Sequence, residues 1–184
     1  MSNVGRVMRA LSSVLLLAVA IVVVGACALS STAGSGLTSP VAPPDPSNAT
    51  FKVDRDTVAL VNGRAEREAA PGSATKVTTT LGDPRVSGDV DGDGRPDTVA
   101  VLIYQPGGSG TLFYVAVLLN ATGGVTTTPA VLLGDRIKVT GLKLDGRTIV
   151  VDVLDRTTGQ PLTESPSVAS TKRFVVDGGA LIAR

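Results

Sequence analysis

The sequence predicts an all-β, or β-rich α+β, domain: an antiparallel meander that curls into a barrel or sandwich, preceded by an N-terminal signal helix and a disordered tether. Three observations lead there. Runs rich in Val, Thr, Ile and Leu recur after the first third of the chain, Gly-, Asp- and Asn-rich turn chemistry separates them, and the short connections favour antiparallel neighbours.

The predicted strands, in order, are Asp56 to Val61, Lys76 to Leu81, Thr98 to Tyr104, Leu112 to Asn120, Val125 to Leu133, Arg136 to Leu142, Thr148 to Leu154 and Arg173 to Val176. The turns between them are Gly107-Gly108-Ser109-Gly110, Asn120 to Gly124, Asp145-Gly146 and Asp177-Gly178-Gly179, all able to supply positive-φ positions. Tracts around Ala65 and Ser167 fit short helices or loops equally well. One hairpin register follows from the pleat. A loop of Leu144-Asp145-Gly146 sets Val139 opposite Val151 and Lys138 opposite Asp152, with Gly146 left-handed in a glycine bulge, whereas a two-residue Asp145-Gly146 turn would set Val139 against Asp152. Ile137, Val139, Ile149, Val151 and Val153 then face the core.

The N-terminus divides as an export signal does: Arg6 and Arg9, an apolar run from Val14 to Val24, then Gly25-Ala26-Cys27. The pattern resembles the lipobox of bacterial lipoproteins. That resemblance implies a signal peptide over residues 1–26 and lipidation at Cys27, which becomes the mature N-terminus. Each buried acyl methylene contributes about 0.8 kcal/mol, so two or three chains hold far more firmly than one. An uncleaved anchor is the competing reading, because interrupted apolar character from Val7 to Leu29 approaches the roughly 20 residues that span hydrocarbon. Both place the remainder on the extracytoplasmic face. Residues 27–50, rich in Ser, Thr, Gly, Pro and Ala, read as the lipidated cysteine with a flexible tether, and 51–184 as one β-rich domain.

Composition excludes several function classes. Of 17 Lys and Arg, two leave with the signal, while all 16 Asp and Glu stay, and no basic stripe with aromatics appears, so nucleic acid is not an expected partner. A single cysteine forbids an internal disulfide. There is no histidine, which removes the Ser-His-Asp triad, histidine-ligated zinc and the commonest general base. What remains for catalysis is a carboxylate site or the Ser73-x-x-Lys76 spacing. Glu66 and Glu68 read as a solvated face.

Asp89-Val90-Asp91-Gly92-Asp93-Gly94-Arg95-Pro96-Asp97 carries the one chemical constellation. Alternate carboxylates converge on a cation only if the chain turns sharply, and glycine at the sixth loop position permits the turn. The spacing resembles an EF-hand calcium loop, which implies Asp89, Asp91, Asp93, the Arg95 carbonyl and Asp97 as metal ligands. The twelfth position, a bidentate Glu in EF-hands, is Ala100 inside a strand. The loop is also similar to those of integrin-type propeller blades, although it occurs once and a propeller needs several blades. Without the twelfth ligand, weak Ca²⁺ binding is expected, toward about 10⁻⁴ to 10⁻³ M.

The string Gly88 to Gly94, then Gly107-Gly108-Ser109-Gly110-Thr111-Leu112-Phe113-Tyr114, then Leu133-Gly134-Asp135-Arg136 resembles a recurrent domain of uncharacterised bacterial envelope lipoproteins across Thr57 to Leu154. The resemblance implies envelope localisation and a β-rich fold, and brings no activity. The expected protein is a non-catalytic, monomeric, lipid-anchored component of the cell membrane or outer membrane, a calcium-stiffened binding or scaffold module. Its expected partners are the membrane and an envelope protein or polysaccharide. An envelope hydrolase is the alternative. Gly107 to Gly110 with Tyr104, Phe113 and Tyr114 is the candidate contact region, though those aromatics fit a core or strand-pair role equally.

Overall fold

The computed structural model describes residues 41–184. The expected signal, Cys27 and residues 28–40 of the expected tether lie outside the described residues. A 3-10 turn at Pro46–Asn48 leads into β1 (Thr50–Val53), β2 (Asp56–Ala59), β3 (Arg64–Glu68), β4 (Lys76–Gly88), β5 (Asp97–Gln105), β6 (Leu112–Ala121), β7 (Gly124–Thr127), β8 (Val131–Asp135), β9 (Lys138–Asp145), β10 (Thr148–Asp155), β11 (Val168–Asp177) and β12 (Ala180–Ala183). Among the described residues no helix is long and apolar enough to cross a membrane.

These strands form three antiparallel sheets, none closed on itself, so the sandwich reading holds and the barrel does not. A six-stranded sheet runs β3-β4-β5-β6-β7 with β8 also on β6, a four-stranded sheet runs β12-β11-β10-β9, and β1 pairs with β2 alone. The reason for three layers is visible in β5 and β6. Their apolar runs do not alternate with polar residues, so both faces need cover. Val99, Val115, Val117 and Leu119 pack against Ile149, Val151, Val153, Phe174 and Val176 of the four-stranded sheet. Ala100, Leu102, Tyr104, Tyr114, Ala116 and Leu118 point the other way, onto Phe51, Val53 and Leu60 of the β1–β2 hairpin and its exit. Phe51 is fully buried there. A fully buried side chain of that class contributes about 1.5–3 kcal/mol.

Several expectations are corrected. The tract around Ala65 is neither helix nor loop but strand β3, on an exposed edge, where Arg64 pairs with Glu66 at 2.9 Å and Glu68 with Lys76 of the neighbouring β4 at 3.5 Å. Charged side chains on an edge strand discourage pairing with other chains. Ser167 ends a loop, its N–H on the Asp155 carbonyl at 3.0 Å, and β11 starts at the next residue. The expected strand Val125 to Leu133 is two, because β7 and β8 both lie along β6 with Thr128, Pro129 and Ala130 between them. Proline cannot donate to a ladder. Strands β1 and β12 were not foreseen.

The β9–β10 hairpin turns through Gly146 and Arg147, with Thr148 opposite Asp145 and Val151 opposite Leu142. Gly146 has φ 57 and Arg147 is not in the positive-φ region, the pattern of a type II′ turn. A register shift beside Asp152 and Val153 then sets Val153 opposite Val139. One extra residue on β9 lets the turn and the pleat disagree. The expected core face survives, since Ile137, Ile149, Val151 and Val153 are buried and Val139 packs against them. The expected Lys138–Asp152 pair does not: Asp152 meets Lys143 at 3.5 Å and the Thr171 hydroxyl at 2.7 Å.

The packed chain also begins before Phe51. Pro46 is buried, Asp45 caps the 3-10 turn through the Ser47 amide at 3.0 Å, and Thr50 is already in β1. The last part of the expected tether therefore lies along the domain.

Candidate metal centre

The Asp-rich segment is the connection between β4 and β5, two central strands held in register by Gly88 opposite Asp97. It leaves the sheet at Gly88 and returns at Asp97, so its first and last carboxylates start close together. Val90 fixes its depth. This residue, apolar between two aspartates, is buried in the core between the two larger sheets, which pins the loop from inside while its neighbours turn outward.

Gly92 and Gly94 have φ 90 and 82, values that L side chains adopt only with strain, and they allow the chain to fold back on Asp89. The Asp89 carboxylate accepts the Gly92 amide at 2.6 Å and the Gly94 amide at 3.0 Å. Asp91 accepts the Asp93 amide at 3.1 Å, and Asp93 the Arg95 amide at 2.8 Å. A short Asp side chain accepting an amide a few residues on turns the chain locally in this way.

Asp97 has no exposed surface. Its Oδ2 accepts the Val90 amide and its Oδ1 the Asn120 amide, both at 2.9 Å. Burial pushes its carboxyl above the usual carboxylate range; the amides of Asn120 and Val90 oppose the shift and the charges of Asp91 and Asp93 add to it. A buried carboxylate with nearby like charges is what a cation would relieve.

Asp89, Asp91 and Asp97 each offer a carboxylate oxygen, and these atoms lie within 4.8 Å of one another. Such a triad can hold a metal ion. The donor set is entirely oxygen, which suits a hard cation rather than a soft one. Asp93 does not join this group, and the Arg95 side chain is engaged elsewhere: Nε donates to the Asn120 carbonyl at 2.5 Å and a terminal nitrogen to Asn120 Oδ1 at 3.2 Å.

Sequence reasoning missed the loop's supports. Asn120, at the end of β6, also donates through Nδ2 to the Ala42 and Pro96 carbonyls at 3.1 and 3.2 Å. Arg147, from the β9–β10 turn, donates to the Val90 carbonyl at 3.3 Å and to the Asp91 carbonyl. The loop is thus braced by both larger sheets. Only Val90 carried a signal, an apolar residue inside an otherwise polar run; Asn120 and Arg147 approach from distant sequence and resemble ordinary turn residues.

The other candidates take structural places. Tyr104 and Tyr114 are buried and meet edge to face with ring centroids 6.2 Å apart. The Tyr104 hydroxyl donates to Asp56 at 2.9 Å, and burial, with this carboxylate, pushes the phenol up to about 12. Phe113 packs against the core between the larger sheets. The contact region expected around Gly107 to Gly110 therefore keeps its glycines but not its tyrosines. Ser73 accepts the Thr75 amide at 3.1 Å, whereas the Lys76 ammonium is turned to Glu68.

No protein-family model, curated protein or solved structure matches this chain.

Proposed function

We propose that this chain is a non-catalytic, lipid-anchored protein of a bacterial cell envelope whose β domain takes up Ca²⁺ at the loop between β4 and β5 and serves as a binding or scaffold module. The observation that carries it is the convergence of Asp89, Asp91 and Asp97, one of them fully buried, on a loop braced from both larger sheets. Asp93 and the Arg95 carbonyl complete the proposed ligand set, and Cys27 is the proposed site of acylation. A divalent ion placed there offsets the mutual repulsion of carboxylates that the fold already holds together. Because the ligands sit on the hairpin that joins two central strands, the ion's stabilisation reaches the sheet rather than a free loop.

Two measurements test this reading. Intact-mass and lipid analysis of the membrane form tests the anchor: an acylated Cys27 at the N-terminus supports it, and an unmodified thiol or a retained Met1 overturns it. Thermal melting with millimolar Ca²⁺ or Mg²⁺ tests the ion: wild type melts higher with Ca²⁺ and Asp91→Ala does not, while an unchanged wild-type transition overturns it.

A further inference from the structure

Residues 40–46 read Pro-Val-Ala-Pro-Pro-Asp-Pro. Proline fixes φ and carries no N–H, so such a segment is stiff, extended and offers mainly carbonyls for hydrogen bonding. Those carbonyls are what the domain meets. Asn120 Nδ2 donates to the Ala42 carbonyl at 3.1 Å, and Thr98 Oγ1 to the Pro44 carbonyl at 2.7 Å. The two clasping residues are only 7% and 4% exposed. Beyond the clasp, the chain stays fixed: Pro46 is buried, and the next residues enter the 3-10 turn and β1.

We propose that Ala42–Pro46 is a proline-stiffened bracket, clasped by Asn120 and Thr98, that stays docked on the domain in solution. The clasp lies beside Pro96, at the end of the six-stranded sheet that carries the Asp-rich loop. The bracket does not rest on the lipid-anchor reading. The two direct hydrogen bonds and the burial of Pro46 favour the docked bracket, while on release Asn120 Nδ2 keeps the Pro96 carbonyl and Thr98 Oγ1 keeps the Ser87 hydroxyl.

The test is a nitroxide on full-length Val41→Cys protein, at a position 43% exposed and adjacent to the clasp. We expect a slow-motion spectrum that becomes several-fold more mobile in Asn120→Ala and in the milder Thr98→Val. A second label at Leu132→Cys, on β8 and 50% exposed, should keep its spectrum in every background and so report an intact sheet. A fast-motion Val41 spectrum in the otherwise unaltered protein, or no change in either variant with Leu132 unaltered, overturns the bracket. Label stoichiometry separates the two ideas. Incorporation at Cys27 would sink the anchor reading alone, because subtracting the spectrum of protein lacking Val41→Cys still isolates the bracket signal.

Discussion

Asp97 and Asn120, 23 residues apart in the chain, are joined by a buried hydrogen bond of 2.9 Å from the Asn120 amide to the Asp97 carboxylate. Through the other carboxylate oxygen Asp97 also holds the Val90 amide. One side chain thereby closes the loop on itself and ties it to the end of β6. The same carboxylate belongs to the acidic triad, so structural and ion-binding roles meet in one residue.

Removing that carboxylate should cost stability with or without an ion. Asp97→Ala leaves the amides of Val90 and Asn120 buried and unpaired, and each orphaned donor costs about 1–3 kcal/mol. Urea unfolding of wild type and variant in chelator should show a loss of about 2–6 kcal/mol. A loss below about 1 kcal/mol would mean that water reaches these amides.

Ca²⁺ stabilisation should fade on acidification. The Asp97 carboxyl is raised above its ordinary value by burial first. A raised carboxyl contributes stability that is fully present below the unfolded value of 3.8 and is lost as pH rises through the folded value. Above that value the protein carries a buried charge that an ion relieves. At a dissociation constant of about 10⁻⁴ to 10⁻³ M, 5 mM Ca²⁺ (about 5 to 50 times that constant) should add about 1–2.3 kcal/mol at pH 7. Below the folded value of Asp97 the gain should be smaller, and melting scans at both pH values with and without Ca²⁺ measure it. An equal shift at both would place the ion elsewhere.

Asp56 should behave in the opposite sense. Its carboxyl lies below the ordinary value because the Arg67 guanidinium and then the Tyr104 hydroxyl donate to it. The stability it contributes is present above the unfolded value and lost as pH falls through the lowered folded value. Asp56→Asn should therefore lower the melting temperature at pH 7 and make little difference in strong acid. A constant difference across that range would assign the effect to packing against Tyr104.

How much of this was legible depended on how local each cause was. The runs that became β5 and β6 announced strands, because Val, Ile and Leu in short apolar tracts fit a pleated, buried surface. Their lack of alternation also held the clue to a cover on each face, but the cover, β1 with Phe51, is four residues long and framed by turn-like composition. The triad's spacing was readable from Asp89 to Asp97, since alternate residues and glycines act on their own loop. Asn120 and Arg147 were not, because their contacts with the loop region arise only after strands fold together. The β9 bulge was equally hidden. A two-residue turn and an apolar face each have a preferred register, and only the folded sheet shows that one extra residue reconciles them.

The hairpin cover gives its own prediction. Phe51→Ala deletes a fully buried ring between β1 and the central sheet, and such truncations cost about 3–5 kcal/mol. Equilibrium denaturation should show that loss in a single transition. A cost under about 1 kcal/mol would make the hairpin a loosely attached flap.

Thr128 tests the junction between β7 and β8. Its hydroxyl accepts the Val117 amide at 3.1 Å, and both residues are fully buried. Thr128→Val keeps the shape and removes the acceptor, which should cost about 1–3 kcal/mol. Amide exchange should rise at Val117 while the pairing of β10 and β11 stays protected. Unchanged exchange at Val117 would refute the assignment.

The most direct test of the ion is calorimetric titration of Ca²⁺ into chelator-treated, full-length protein beside Asp91→Ala. Saturable heat at one site per chain, abolished in the variant, is the predicted result. No binding heat at millimolar Ca²⁺, or identical heat in the variant, would contradict it.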